Sequence, residues 1–245
     1  MPALLTALGL LAAWELYVRV RDFDEFVLPA PSAVAVSLVE DAHLLLPDLA
    51  VTAYETLLGL LASIVFGSAV ALAMHLRGWV RRSLHPLVVG SQAVPIVVIA
   101  PALILVLGFG LAPKILVIGL ICFFPVTINL FDGLRAAEPD QVRLMRALHA
   151  GRWQTLRWLE LPAALPQAFT GLRIASAVAV IGAVFAEWTG SSQGLGLLLI
   201  TAGGQLETAR VWAATFLLFV LAIALYGAVS LAERRLVTWK KDPSP

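Results

Sequence analysis

Six apolar runs of roughly membrane-spanning length follow one another along this chain of 245 residues. A helix needs about 20 mostly apolar residues to cross the hydrocarbon core of a bilayer. The runs fall at residues 3–20, 51–76, 84–107, 114–131, 167–188 and 211–232. The first and fourth are short, and the third carries Pro95 and Pro101. Lipid offers no hydrogen bonds, so backbone groups freed by those prolines must be satisfied by protein or water. Hydrophobic residues make up 60% of the chain and charged residues 13%. Soluble domains sit nearer about 45–50% and about 25%. These features predict an all-α polytopic membrane protein, with residues 1–245 forming one transmembrane domain.

Two other classes fade on the same grounds. The formal net charge is +1, which gives no global field for nucleic acid. The lone cysteine, Cys122, lies in an apolar run, so no disulfide forms within the chain and no metal-ligand spacing exists. His75 and His85 make a poor metal pair across a turn. The first run lacks a preceding basic residue and ends in Glu15, Tyr17, Arg19 and Arg21 rather than a small-residue cleavage site. It reads as a retained helix rather than a signal peptide.

The connections sort by charge. Those at 77–83, 132–166 and 233–245 hold twelve of the 17 basic residues. They are Arg77, Arg81, Arg82, Arg135, Arg143, Arg146, Arg152, Arg157, Arg234, Arg235, Lys240 and Lys241. The segment 21–50 is acidic, with Asp22, Asp24, Glu25, Glu40, Asp41 and Asp48. Basic loops stay cytoplasmic. An even span count then puts both termini in the cytoplasm, including the tail at 233–245. Within the outer segment, 31–46 reads as a short amphipathic helix opened by Pro31 and Ser32.

The loop 132–166 has the pattern of two short helices. Glu138-Pro139-Asp140 is a helix start, with proline at the first position and acids in the first turn. Val142, Met145 and Leu148 repeat every third residue, with Arg143 and Arg146 one place behind Val142 and Met145. Gly151 suits the left-handed residue that ends such a helix. Trp153, Leu156 and Leu159 continue the spacing until Pro162, which steers Leu161 out of helical conformation, and Pro166 opens the fifth membrane helix. A stiff, two-faced unit of this kind can carry force between a soluble partner and the flanking spans.

Residues 140–171 of this loop resemble the EAA loop of ABC-importer permeases. The turn at 147–153, Leu161-Pro162 and Pro166 match that pattern. Arg143-Leu144-Met145 stands in place of Glu-Ala-Ala, and His149 in place of the usual glycine. Further pieces resemble permeases of the nitrate/sulfonate/taurine type. They are Leu28-Pro29-Ala30-Pro31-Ser32, Ser91-Gln92-Ala93-Val94-Pro95, Gly108-Phe109-Gly110, Phe123-Phe124-Pro125 and Asp132-Gly133-Leu134-Arg135, then Gly171-Leu172-Arg173-Ile174, Ala186-Glu187-Trp188 and Gly194-Leu195-Gly196. Within that group, the Gln-Ala-Val-Pro, Leu-Met-Arg and Ala-Glu-Trp pieces look most like permeases for thiamine-precursor pyrimidines, with nitrate, sulfonate, taurine and riboflavin as alternatives.

The resemblance implies a bacterial inner-membrane importer subunit working as a homodimer by alternating access. It implies cytoplasmic ABC ATPase subunits, which consume the ATP, and a periplasmic or lipid-anchored substrate-binding protein. The chain has no phosphate-binding loop of its own. Coupling to the ATPase would fall to Arg143, Arg146, Ala147, Leu148, His149, Ala150, Gly151, Arg152, Trp153, Leu161 and Pro162. Polar residues inside apolar runs are the candidates for the translocation path, being costly in lipid. They are Ser91, Gln92, Pro95, Asn129 and Glu187, with Thr127 and Ser176 weaker. Gln92 and Asn129 also suit interhelical hydrogen bonding. Glu187 and Glu55 read as carboxylates near the outer interface, Glu187 facing water, and Trp14, Trp188 and Trp212 as interfacial anchors. A secondary transporter would show matching broken helices in two repeats, whereas Pro95, Pro101, Pro113 and Pro125 cluster in one half. Paired intramembrane acids or histidine clusters, the signs of a membrane enzyme, are absent from the sequence.

Overall fold

A computed structural model describes residues 2–93 and 95–239. Val94, Lys240 and Lys241, which entered the sequence reading, lie outside the described residues. Among the latter there is helix and turn but no strand. The helices are α1 (Pro2–Arg21), α2 (Pro31–Glu40), α3 (Ala42–Leu76), α4 (Gly78–Gly90), α5 (Ile96–Leu107), α6 (Leu111–Leu134), α7 (Pro139–Ala147), α8 (Arg152–Thr155), α9 (Leu161–Trp188), α10 (Leu195–Gly204) and α11 (Thr208–Leu236). A π-helical turn, Leu156–Glu160, joins α8 to α9.

Four continuous helices are long and apolar enough to cross a membrane: α3, α6, Arg152–Trp188 and α11. The third expected span is not straight. Gly78–Ala93 and Val98–Leu107 form a pair bent by 110°, a broken span or a re-entrant loop. Its prolines explain the break: Pro86 and Pro101 sit inside the two helices, and Pro95 lies extended before α5. α1 lies where the first span was expected, but its uncharged stretch ends at Glu15 and it is not among the helices apolar enough to cross, so the described residues give four spans, or five with the bent pair, where six were expected.

Other boundaries move because polar residues also take helical conformation when a span extends beyond lipid. The expected helix at 31–46 breaks at Asp41, and its second half becomes the start of the 35-residue α3. The connection expected at 77–83 shrinks to Arg77, with Arg81 and Arg82 already on α4. Leu161 does not leave the helix. The chain runs helically for 37 residues from Arg152 to Trp188. The π turn ends at Glu160, two residues before Pro162, which has no N–H to complete an ordinary turn. Pro166 therefore lies inside α9 rather than opening it.

The core is a three-helix contact in which α6 packs against α3 and α9. Leu60, Ile118, Cys122, Val126, Ala175, Ala179 and Ala183 fill it. Small residues let these backbones approach closely. A Cβ added to Gly171 would lie 2.4 Å from the Pro125 carbonyl oxygen, and one added to Gly59 2.5 Å from the Ile118 side chain. Around this core α11 packs on α9, α10 and α2. α1 touches α2 and stacks Trp14 on Trp212 of α11, with ring centroids 4.9 Å apart. The Glu15 carboxylate accepts hydrogen bonds from the Ser32 backbone N–H (3.0 Å) and hydroxyl (2.9 Å), fixing the start of α2. Arg210 bonds Asp41 at 2.8 Å, and that bond, with one from Ser37, holds the Asp41 carboxyl below the usual range. The molecule thus has a basic end, where α3, α6 and α11 finish, and an acidic end, where α3 and α11 begin.

Gly171→Val is expected to destabilise the protein by about 1–3 kcal/mol or more, the cost of overpacking a close contact. Gly227→Val, where nothing lies within 4 Å of the added carbon, is the control. Thermal unfolding in detergent, followed by size exclusion, measures the difference.

Candidate functional site

The arm at the basic end is built from local chemistry. Arg135 ends α6, and Glu138 is extended (φ −61°, ψ 133°), with Pro139 opening α7 as its sequence predicts. α7 ends in paired reverse bonds. The His149 N–H reaches the Arg146 carbonyl and the Ala150 N–H reaches the Met145 carbonyl, each at 2.9 Å. This closure needs a left-handed residue, and His149 supplies it at φ +57°. Gly151, the residue expected there, is extended instead (φ −68°, ψ 164°) and precedes α8. Its N–H donates to Gln154 Oε1 at 2.7 Å. The left-handed position is counted from the last helical carbonyl, and α7 stops two residues earlier than the glycine suggested.

The arm is locked at its base and open at its tip. The Arg152 guanidinium donates to the Leu76 and His75 carbonyls at the end of α3. Glu160 bonds His75 Nε2 at 2.8 Å. Leu156 is buried with Leu134 of α6 and Ala164 of α9. At the tip, Leu148 is 69% exposed and Trp153 66%. Leu144, Ala147, His149, Gly151 and the basic side chains Arg143, Arg146 and Arg152 are exposed beside them, and Ala150 is half-buried. Val142 and Met145 are half-buried, so the stripe expected from Val142 to Leu148 is split. Leu161 and Pro162 sit apart, half-buried in the first turn of α9.

The path candidates fall in three separate places. Ser91, Gln92 and Pro95 lie at the break between α4 and α5. The Ser91 hydroxyl bonds the Val88 carbonyl at 2.7 Å, while Gln92 and Pro95 are exposed. Asn129 lies at the crossing of α6 and α9. Its Nδ2 donates to the Pro125 carbonyl (2.8 Å), and its Oδ1 accepts from Gln167 Nε2 (3.1 Å).

Glu187 lies at the acidic end and does not face water: it is 0% exposed. Glu55, also read as near the interface, is buried with it. Glu187 Oε1 accepts from Thr52 Oγ1 at 2.7 Å, and Oε2 from the Gly196 N–H at 2.5 Å. Thr52 Oγ1 accepts from the Leu195 N–H at 2.9 Å, and the Gly194 N–H donates to Asp48 Oδ1 at 3.0 Å. Gly194 has φ +124°, and a Cβ there would lie 2.4 Å from the Glu187 carboxyl carbon. The Gly194-Leu195-Gly196 piece is therefore a backbone wrap for a buried carboxylate. Beside it Lys114 Nζ bonds Glu55 Oε1 at 2.5 Å and Ser191 Oγ at 2.6 Å. The cluster ties α3, α6, α9 and the start of α10 together. Sequence reading named Glu55 and Glu187 separately. The spacing of Asp48, Thr52 and Glu55, on one side of a helix, was the available sign that they act together.

The structure is thus a bundle of apolar helices that carries a solvent-exposed arm between two of its core spans. The chain belongs to the family of binding-protein-dependent transport system inner membrane components, which it matches over residues 63–238. It is 38% identical over 228 residues to a probable ABC transporter permease protein of Haemophilus influenzae, covering 93% of each chain. It is 33% identical over 235 residues to the formylaminopyrimidine transport permease ThiX of Halalkalibacterium halodurans, covering 96% of this chain and 94% of that one. Its fold is similar to a chain of the MetNI methionine ABC transporter in inward-facing conformations. That likeness has a TM-score of 0.67 at 17% identity, covering 80% of this chain and 98% of the other. The protein is thus the multi-pass inner-membrane permease subunit of an ABC importer rather than an enzyme, and its family implies an ATPase and a binding protein as partners.

Lys114→Met leaves the buried Glu55 carboxylate without its cation and is expected to destabilise the protein by about 3–5 kcal/mol. Adding Glu55→Leu is expected to restore most of that loss. Unfolding of both variants in detergent, in a double-mutant cycle with Glu55→Leu alone, measures the coupling.

Proposed function

We propose that the arm tip, from Ala147 to Trp153, is where the cytoplasmic ATPase pushes on this permease. The carrying observation is the contrast within the arm. Its apolar tip is exposed, while Arg152, Glu160 and Leu156 fasten its base to α3, α6 and α9. A force on the tip reaches three core helices with little slack. ATP is bound and spent by the partner. Two copies form the pathway, the basic end and both termini face the cytoplasm, and a binding protein delivers solute at the acidic end. Alternating access follows from rigid-body motion of the pair. Of the path candidates, Gln92 and Pro95 are exposed at the break between α4 and α5, and irregular backbone of that kind in a membrane protein supports a place beside the path.

The solute is read as a thiamine-precursor pyrimidine. Support comes from the 33% identity to the formylaminopyrimidine permease. The 35% identity to the riboflavin permease RibX of Chloroflexus aurantiacus supports a second flat nitrogen heterocycle, riboflavin.

In the assembled importer, Leu148→Asp with Trp153→Asp is expected to cut uptake of labelled formylaminopyrimidine, and its linked ATP hydrolysis, by roughly tenfold or more, matching loss of an apolar anchor pair. Membrane insertion is expected to stay normal. Wild-type uptake in this variant removes the coupling role, and faster uptake of riboflavin than of the pyrimidine changes the substrate.

Single cysteines at Arg81 and Arg146, in a Cys122→Ala background, are expected to react with an impermeant maleimide only after the cytoplasmic face is opened. Labelling in intact cells reverses the orientation.

A further inference from the structure

A basic cleft beside α4 takes no part in the arm or in the buried charge cluster. It has a volume of about 310 Å³ and is lined by Arg81, Arg82, His85, Pro86, Phe131 and Arg135. Phe131 is buried and forms its floor. The Arg135 guanidinium lies over that ring, 5.4 Å from the centroid, and the His85 ring packs against it at 5.8 Å. The aromatic floor therefore holds two of the nitrogen-bearing groups in place.

No carboxylate lines the cleft. Among the described residues, no ion pair involves Arg81, Arg82 or Arg135. Three guanidinium groups facing one space repel one another unless an anion enters, and planar forks of N–H donors match phosphate oxygens. α4 begins at Gly78, so Arg81 and Arg82 stand near a helix end whose dipole is positive and disfavours cations. An anion between them offsets both costs.

We propose that this cleft binds the phosphate of an anionic membrane lipid. Two features favour a headgroup over free phosphate. The cleft lies where α3 gives way to α4 and where α6 ends, at headgroup depth for the basic face. Trp79 and Leu87, both exposed, share a stripe with Ser83 that runs next to Arg82 and Pro86. An aromatic and an aliphatic residue unburied by protein at that depth suit the interface and the first acyl carbons. The inference rests on the basic end meeting one membrane face and is independent of the arm's role.

The full chain in detergent is titrated with tetraoleoyl cardiolipin, dioleoyl phosphatidylglycerol and dioleoyl phosphatidylcholine, and bound lipid is counted by native mass spectrometry. The anionic lipids are expected to bind on the order of a hundredfold more tightly than phosphatidylcholine, since each of the three arginines contributes on the order of fivefold at an anionic surface. Combining Arg81→Gln, Arg82→Gln and Arg135→Gln, all on exposed side chains, is expected to erase the preference without lowering the melting temperature. Should that variant unfold, Arg82→Gln alone is read, with a loss of about fivefold. Equal binding of phosphatidylcholine, a preference that survives the glutamines, or displacement of the lipid by millimolar inorganic phosphate overturns the proposal. So does a triple variant that keeps its lipid preference but no longer retains the ATPase, which assigns the cleft to a protein partner.

Discussion

The close crossing of α6 and α9 sets the position of everything else in this permease. No hydrophobic force draws helices together inside lipid, so contact depends on fit and on hydrogen bonds. Gly171 lets the two backbones approach, and Asn129 with Gln167 adds a bond across the same crossing. A Cβ on Gly133 would meet the Ala164 carbonyl oxygen at 2.9 Å, so the intimacy continues to the basic end. The arm hangs between these two helices. Its geometry is only as fixed as their contact.

The continuous helix from Arg152 to Trp188 links the two polar devices of the molecule. At 37 residues it is roughly 55 Å long. Arg152, at one end, caps the last carbonyls of α3. Glu187, near the other, is gripped by Thr52 of the same α3 and by Gly196. α9 is therefore fastened to α3 twice, once outside each face of the apolar core. α6 packs against both of these helices.

How much of this was legible in the chain follows from how local each feature is. The spans of α3, α6, α9 and α11 show in hydropathy alone, because lipid selects apolar residues on every face. Their true ends do not, since Asp48 or Glu160 can be helical once beyond the bilayer. The arm was readable from Glu138-Pro139-Asp140. The residue that ends α7 was missed because glycine at 151 is the stronger local sign and histidine at 149 the weaker. The bent pair was marked by its prolines, but hydropathy carries no angle. Glu187 was misread because an acid at the end of an apolar run looks the same whether it meets water or protein. Its partner Thr52 lies 135 residues away, beyond the reach of any spacing argument.

Lys114, Glu55 and Glu187 form a buried polar knot, and separating Lys114 from Glu55 without admitting solvent would leave charges in a medium that cannot solvate them. That cost holds α3, α6 and α9 to one another. The angled pair α4 and α5 lies outside that knot and contributes none of its residues.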